Sequence, residues 1–134
     1  MLGKKGIVVK TITERDLDLF KEVSLDDNKL HFDENYAKTT RFKKRIAHGL
    51  LTGSLISAAI GSKLFTENII YTAQNFEFVR PVYIGDTITA TAEIISVDGN
   101  NITLSTTCVN QDGKTVLKGT GKIIYTPTSN EASA

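Results

Sequence analysis

Asp26, Asn28 and His31 form a D-x-N-x-x-H pattern in the polar stretch DDNKLHFDENYAKTTRFKKRIAHG, Asp26 to Gly49, which also carries His48, the second and last histidine of the chain. A carboxylate and an imidazole five residues apart in a loop can meet at one water molecule. Histidine exchanges a proton most readily near neutral pH, and a carboxylate beside it sets its tautomer and charge, so the pattern is equipment for general acid–base chemistry. A plainer reading makes Asp26 a turn cap and His31 a half-buried loop histidine. His31, Asp33 and His48 also supply the ligand types of a non-haem iron facial triad. Such triads sit on a β-jelly-roll scaffold, whereas His48 abuts an apolar helical run, so no metal is expected. Serine hydrolysis has less support, because Ser54 and Ser57 fall in helical sequence without a G-x-S-x-G turn.

His48-Gly49 adds a second component. The first amides of a helix lack intrahelical partners and sit at the positive end of its dipole, so they can bind an oxygen that gains negative charge. Gly49 leaves such an amide open to a substrate. Together, a loop dyad and a helix N-terminus describe a site for a carbonyl compound passing through an enolate-like state. The alternative is that Gly49 only permits close packing. Arg41, Lys43, Lys44 and Arg45 form a basic run before the helix, read either as a solvated face or as phosphate contacts at a pocket mouth.

Several elements must position these groups. Gly6 to Thr11 reads as a strand, and Thr13 caps a helix that carries Leu17, Phe20 and Val23 and ends near Ser24. Asp33 caps a second short helix through Tyr36 and Ala37, and RFKKRI is irregular. From His48, LLTGSLISAAIG is apolar or small on every side, the mark of a helix surrounded by protein. Gly49, Gly53, Ser57 and Gly61 line one face of it, where another backbone or a ligand can approach. Ile69 to Val79, Thr87 to Val97, Asn101 to Gln111 and Lys114 to Tyr125 are strands. The turns DGNN and QDGK join the last three into an antiparallel meander. The pattern is that of one α+β domain over 1–127 with a frayed tail, 128–134, and open sheet edges that invite a dimer.

Composition narrows the function. Sixteen basic and fifteen acidic residues leave a net charge of +1, which gives no reason to expect nucleic acid or an anionic membrane. The apolar stretch from Leu50 to Ile60 is too short to span a bilayer, which takes about 20 residues. Cys108 is alone and excludes an intrachain disulfide, and a cytoplasmic protein is expected.

With these residues in place the chain resembles the MaoC-like (R)-specific enoyl-CoA hydratases of the hot-dog fold. That family's D-x-N-P-x-H-x-D signature stands here as DDNKLHFD, its F-x-x-P-I-x-H-G element as RFKKRIAHG, and its small-residue helix as LLTGSLIS. FEFVRPVYIGDTI resembles a segment that many hot-dog proteins share. Lys29 and Arg45 stand where the family carries proline. The resemblance implies an antiparallel sheet wrapped around a central helix, with a helical and loop insertion carrying the catalytic motif. It implies Asp26 and His31 as the catalytic dyad, Asn28 as its support, Gly49 beside His48 as the amide that polarises a thioester carbonyl, and Ser57 as a helix serine near the carboxylate. Lys43, Lys44 and Arg45 become candidates for CoA phosphates. The implied reaction is reversible hydration of a trans-2-enoyl-CoA to an (R)-3-hydroxyacyl-CoA by a homodimer or an oligomer of dimers, with no cofactor. Alternatives are a dehydratase acting on acyl carrier protein thioesters, a hot-dog thioesterase, and a non-catalytic acyl-CoA-binding module.

Overall fold

A computed structural model describes residues 1–127, and the expected tail 128–134 lies outside the described residues. Strand β1 (Lys5–Thr11) leads into helix α1 (Glu14–Ser24), which opens on a capping box between Thr13 and Asp16. Two short helices follow, α2 (Lys29–Phe32) and α3 (Glu34–Lys38), and then the core helix α4 (Gly49–Ala58). A π-helical turn, Ala59–Leu64, extends α4 and was not foreseen. Strands β2 (Ile69–Gln74), β3 (Glu77–Phe78), β4 (Thr87–Asp98), β5 (Asn101–Val109) and β6 (Thr115–Tyr125) complete the chain.

The strands form one antiparallel sheet in the order β1-β4-β5-β6-β2, with β3 also paired to β6. Gly99 and Gly113 take the positive φ that the two hairpin turns require. Alternation decides the faces: Ile88, Ala90, Ala92 and Ile94 of β4 and Ile102, Leu104 and Cys108 of β5 are all buried. They pack against Leu51, Leu55, Ile56, Ala59 and Ile60, so the sheet wraps the central helix as expected.

Two expectations need correction. The run from Ile69 to Val79 is not one strand. Asn75 breaks it by exchanging bonds with Thr120, its N–H to the Thr120 carbonyl at 3.1 Å and its Oδ1 from the Thr120 N–H at 3.0 Å. The core helix is not enclosed on every side either, since Leu50, Ser54, Ser57 and Gly61 are exposed along one flank. The small-residue stripe has a packing cause at two of its positions: a Cβ at Gly49 would lie 2.7 Å from the Phe78 ring, and one at Gly53 would lie 2.8 Å from the Phe76 ring. Aromatic side chains make the close approach there.

Candidate active site

Helix α1 stops because Leu25 adopts φ 67°, a left-handed turn in which its N–H bonds the Lys21 carbonyl at 2.8 Å. Asp26 follows at once. Its Oδ1 accepts the Asn28 N–H at 3.1 Å, and Asn28 Oδ1 accepts the Leu30 N–H at 3.0 Å to cap α2. Asp26 is therefore a turn cap, as the plainer reading held, and that turn is also what aims it. Asn28 supports the site through this chain of caps.

His31 rides on α2, a single turn far too short to persist alone. Three contacts from Arg45 and Ile46 hold it. Ile46 donates its N–H to the Leu30 carbonyl at 3.4 Å, and Arg45 Nε donates to the His31 carbonyl at 2.7 Å. His31 Nδ1 lies 2.7 Å from the Ile46 carbonyl oxygen and so donates to it. This leaves Nε2 of the neutral ring with a free lone pair.

His48, the N-cap residue of α4, is buried, and its Nε2 lies 3.0 Å from the Asp26 carbonyl oxygen. Burial pushes its pKa below the ordinary histidine value, and the nearby His31 adds to this against the pull of the Asp26 carbonyl and carboxylate. The neutral ring thus donates from Nε2, and Nδ1 is a buried lone pair with no partner among the described residues. The two imidazoles stack with centroids 3.9 Å apart and planes 28° from parallel. One donor atom each from Asp26, His31 and His48 falls within 4.8 Å of the other two.

These three residues line a cavity of about 580 Å³ together with Gly49 and Thr52. Phe20, Leu50, Val82 and Leu117 give it apolar walls, and the exposed arginines Arg41 and Arg80 line it as well. The Gly49 N–H, first of α4, faces no intrahelical acceptor. A carboxylate, a basic ring nitrogen and a helix N-terminus thus share one largely apolar cavity.

Not every expected residue is there. Ser57 lies in a separate recess with Ser54, Tyr71 and Gln74, because its position on α4 turns it toward β2. Lys43, Lys44 and Arg45 do not line the cavity. Arg45 is engaged by the His31 carbonyl and by Glu14 Oε1 at 2.7 Å, while the Lys44 ammonium lies 5.9 Å from the Tyr83 ring centroid. Asp33 caps α3 through the Tyr36 N–H at 3.0 Å, so Asp26 stands with the histidines in place of the imagined triad acid. Thr52 and Arg80 were missed. Thr52 had a legible signal, as a polar residue four positions after His48 on the same helix face.

An antiparallel sheet curled around a helix, with an Asp–His pair at the helix N-terminus, defines a hot-dog domain built for acid–base chemistry. The chain belongs to the MaoC-like domain family, whose profile matches residues 5–120. It is 41% identical over 124 residues to an (R)-specific enoyl-CoA hydratase of Rhodospirillum rubrum, covering 91% of this chain and 85% of that protein. It is 34% identical over 125 residues to a mitochondrial 3-hydroxyacyl-(acyl-carrier-protein) dehydratase of Solanum lycopersicum, covering 88% and 74% of the two chains. Among solved structures, an R-hydratase of Pseudomonas aeruginosa in its unliganded form superposes with a TM-score of 0.88 at 41% identity, covering 96% of this chain and 83% of that one.

Proposed function

We propose that the protein reversibly adds water to a trans-2-enoyl-CoA to give an (R)-3-hydroxyacyl-CoA. The observation that carries this reading is the placement of Asp26, His31 and the Gly49 amide on one cavity. Water placed between the Asp26 carboxylate and His31 Nε2 loses a proton to this pair as its oxygen attacks Cβ, and the pair returns a proton to Cα on the same face. Negative charge gathers on the thioester oxygen, where the Gly49 N–H and the positive end of α4 receive it. The reaction moves protons and no electrons, so it calls for no redox cofactor.

Arg41 and Arg80, which line the cavity as Lys43, Lys44 and Arg45 do not, would meet the phosphates of the thioester carrier, Arg80 while its guanidinium also donates to the Thr115 carbonyl at 2.7 Å. Those groups occur on CoA and on phosphopantetheine alike, and the tomato relative is named for carrier-protein thioesters. Dehydration of a carrier-protein thioester is therefore the second reading, separated from the first by comparing the two carriers as substrates. A second copy of the chain is proposed to cover the open flank of α4, where the exposed Leu50 and Tyr71 line one recess.

The test is hydration of crotonyl-CoA followed by loss of enoyl absorbance, with the product's stereochemistry assigned. Asp26→Asn and His31→Ala are each expected to lower kcat by roughly 10²–10⁴-fold. Near-wild-type rates in both variants would overturn the dyad.

A further inference from the structure

We propose that His48 Nδ1 and the Thr52 hydroxyl together hold the reacting water against Asp26 and His31. The inference rests on the hydratase reading and adds two residues to its site. Among the buried residues of α4, Thr52 is the one with a polar side chain, the others being Leu51, Gly53, Leu55 and Ile56. His48 and Thr52 are each 2% exposed, both line the cavity, and each carries a buried polar atom without a partner among the described residues. Buried polar groups are nearly always satisfied by protein or by ordered water, so two orphans on one wall mark a place for water.

The helix explains the pairing. His48 is the N-cap of α4 and Thr52 follows one turn later, its N–H bonding the His48 carbonyl at 3.3 Å, so both side chains stand at the same end of the helix. A threonine in a helix can bond the carbonyl four residues back, but here the His48 carbonyl already accepts the Leu51 and Thr52 N–H groups and the hydroxyl does not join them.

The two orphans are also complementary. With its Nε2 proton on the Asp26 carbonyl, His48 offers only a lone pair at Nδ1, whereas the Thr52 hydroxyl is free to donate. A water seated there gives one hydrogen to His48 and accepts one from Thr52. Its second hydrogen passes to the Asp26–His31 pair as the remaining lone pair forms the bond to Cβ. In the reverse direction the same seat receives the departing 3-hydroxyl oxygen. His48 and Thr52 keep their own protons throughout.

The test compares Thr52→Val with Thr52→Ser on crotonyl-CoA, alongside a crystal structure of the wild-type protein. Loss of the hydroxyl should lower kcat about tenfold with KM little changed, the effect of one hydrogen bond of ordinary strength, and the serine variant should stay close to wild type. A water within hydrogen-bond distance of both His48 Nδ1 and Thr52 Oγ1 should appear in the crystal, and this readout stands even where the valine variant folds poorly. Wild-type kcat in Thr52→Val, an equal fall in both variants, a rise in KM alone, or no water at the seat would each overturn the proposal. A wild-type protein that hydrates no enoyl thioester but holds this water would sink the reaction and leave the seat.

Discussion

Replacing Arg45 by methionine isolates what holds the His31 turn in place. Arg45 makes two bonds of 2.7 Å, one from Nε to the His31 carbonyl and one from its guanidinium to Glu14, and its own side chain is only 13% exposed. A hydrogen bond from a charged donor to a part-buried carbonyl contributes about 1.5–3 kcal/mol. The Glu14 pair contributes far less, because that carboxylate is 65% exposed and pairs with an exposed partner give about 0–1 kcal/mol. Arg45→Met should therefore cost about 2 kcal/mol, a fall in Tm of about 8 °C for a domain of this size. Glu14→Gln should cost about 0.5 kcal/mol or less. Since α2 cannot stand alone, the methionine variant should also lose activity on crotonyl-CoA through a misplaced His31, with kcat falling more than KM rises. Thermal melts at 20 mM and 500 mM salt separate the contributions: salt should erase the small Glu14 effect and leave the Arg45 effect nearly whole. Equal losses in the two variants would refute this, making the ion pair rather than the carbonyl bond the stabilising contact.

Three further outcomes are expected. Gly49→Ala puts a Cβ 2.7 Å from the Phe78 ring, which is exposed enough to swing away, so calorimetry should find a loss of about 1 kcal/mol or less while kcat/KM falls by tenfold or more because the Cβ crowds the amide. His48 has its folded pKa below its unfolded value near 6.5, so its neutral form adds stability above pH 6.5 that is lost as pH falls through 6.5 toward the folded pKa. The drop in Tm between pH 7 and pH 5 should accordingly be smaller in His48→Gln, and an unchanged drop would remove His48 as its cause. Lys29 is the first residue of α2, where the N–H has no helical partner, and Asn28 before it holds φ −51° and ψ 135°, so Lys29→Pro should raise Tm by the equivalent of about 0.5–1 kcal/mol.

The sequence made the sheet and the meeting of Asp26 with His31 legible because both are governed by local rules. Alternation in Thr87 to Val97 names the buried face of β4 without reference to any other strand, and D-x-N-x-x-H places a turn between Asp26 and His31 by its spacing alone. What it hid depends on partners far along the chain. Nothing near Arg45 says that its guanidinium reaches Glu14, 31 positions away, or that its Nε closes on the His31 carbonyl. Arg80 enters the cavity only because β3 pairs with β6 and brings the following residues back beside α4. The glycine stripe was expected to admit another backbone or a ligand; the rings of Phe76 and Phe78 occupy it instead at Gly53 and Gly49, nothing approaches Gly61, and Ser57 faces a different recess.

The two missing prolines acquire a physical meaning from the same contacts. Proline at either position would hold the loop by fixing φ. This chain holds it with hydrogen bonds instead: the Asn28 cap starts α2 where Lys29 lacks the ring, and Arg45 ties the far end of that turn to its own segment. The substitutions are not equivalent. Proline at 29 removes an N–H that does no helical work, whereas proline at 45 would remove the guanidinium that bonds the His31 carbonyl. Arg45 is thus a positioning residue here rather than a phosphate contact. The last residue of the basic run is turned inward to the His31 carbonyl, whereas the exposed Arg41 and Arg80 line the cavity.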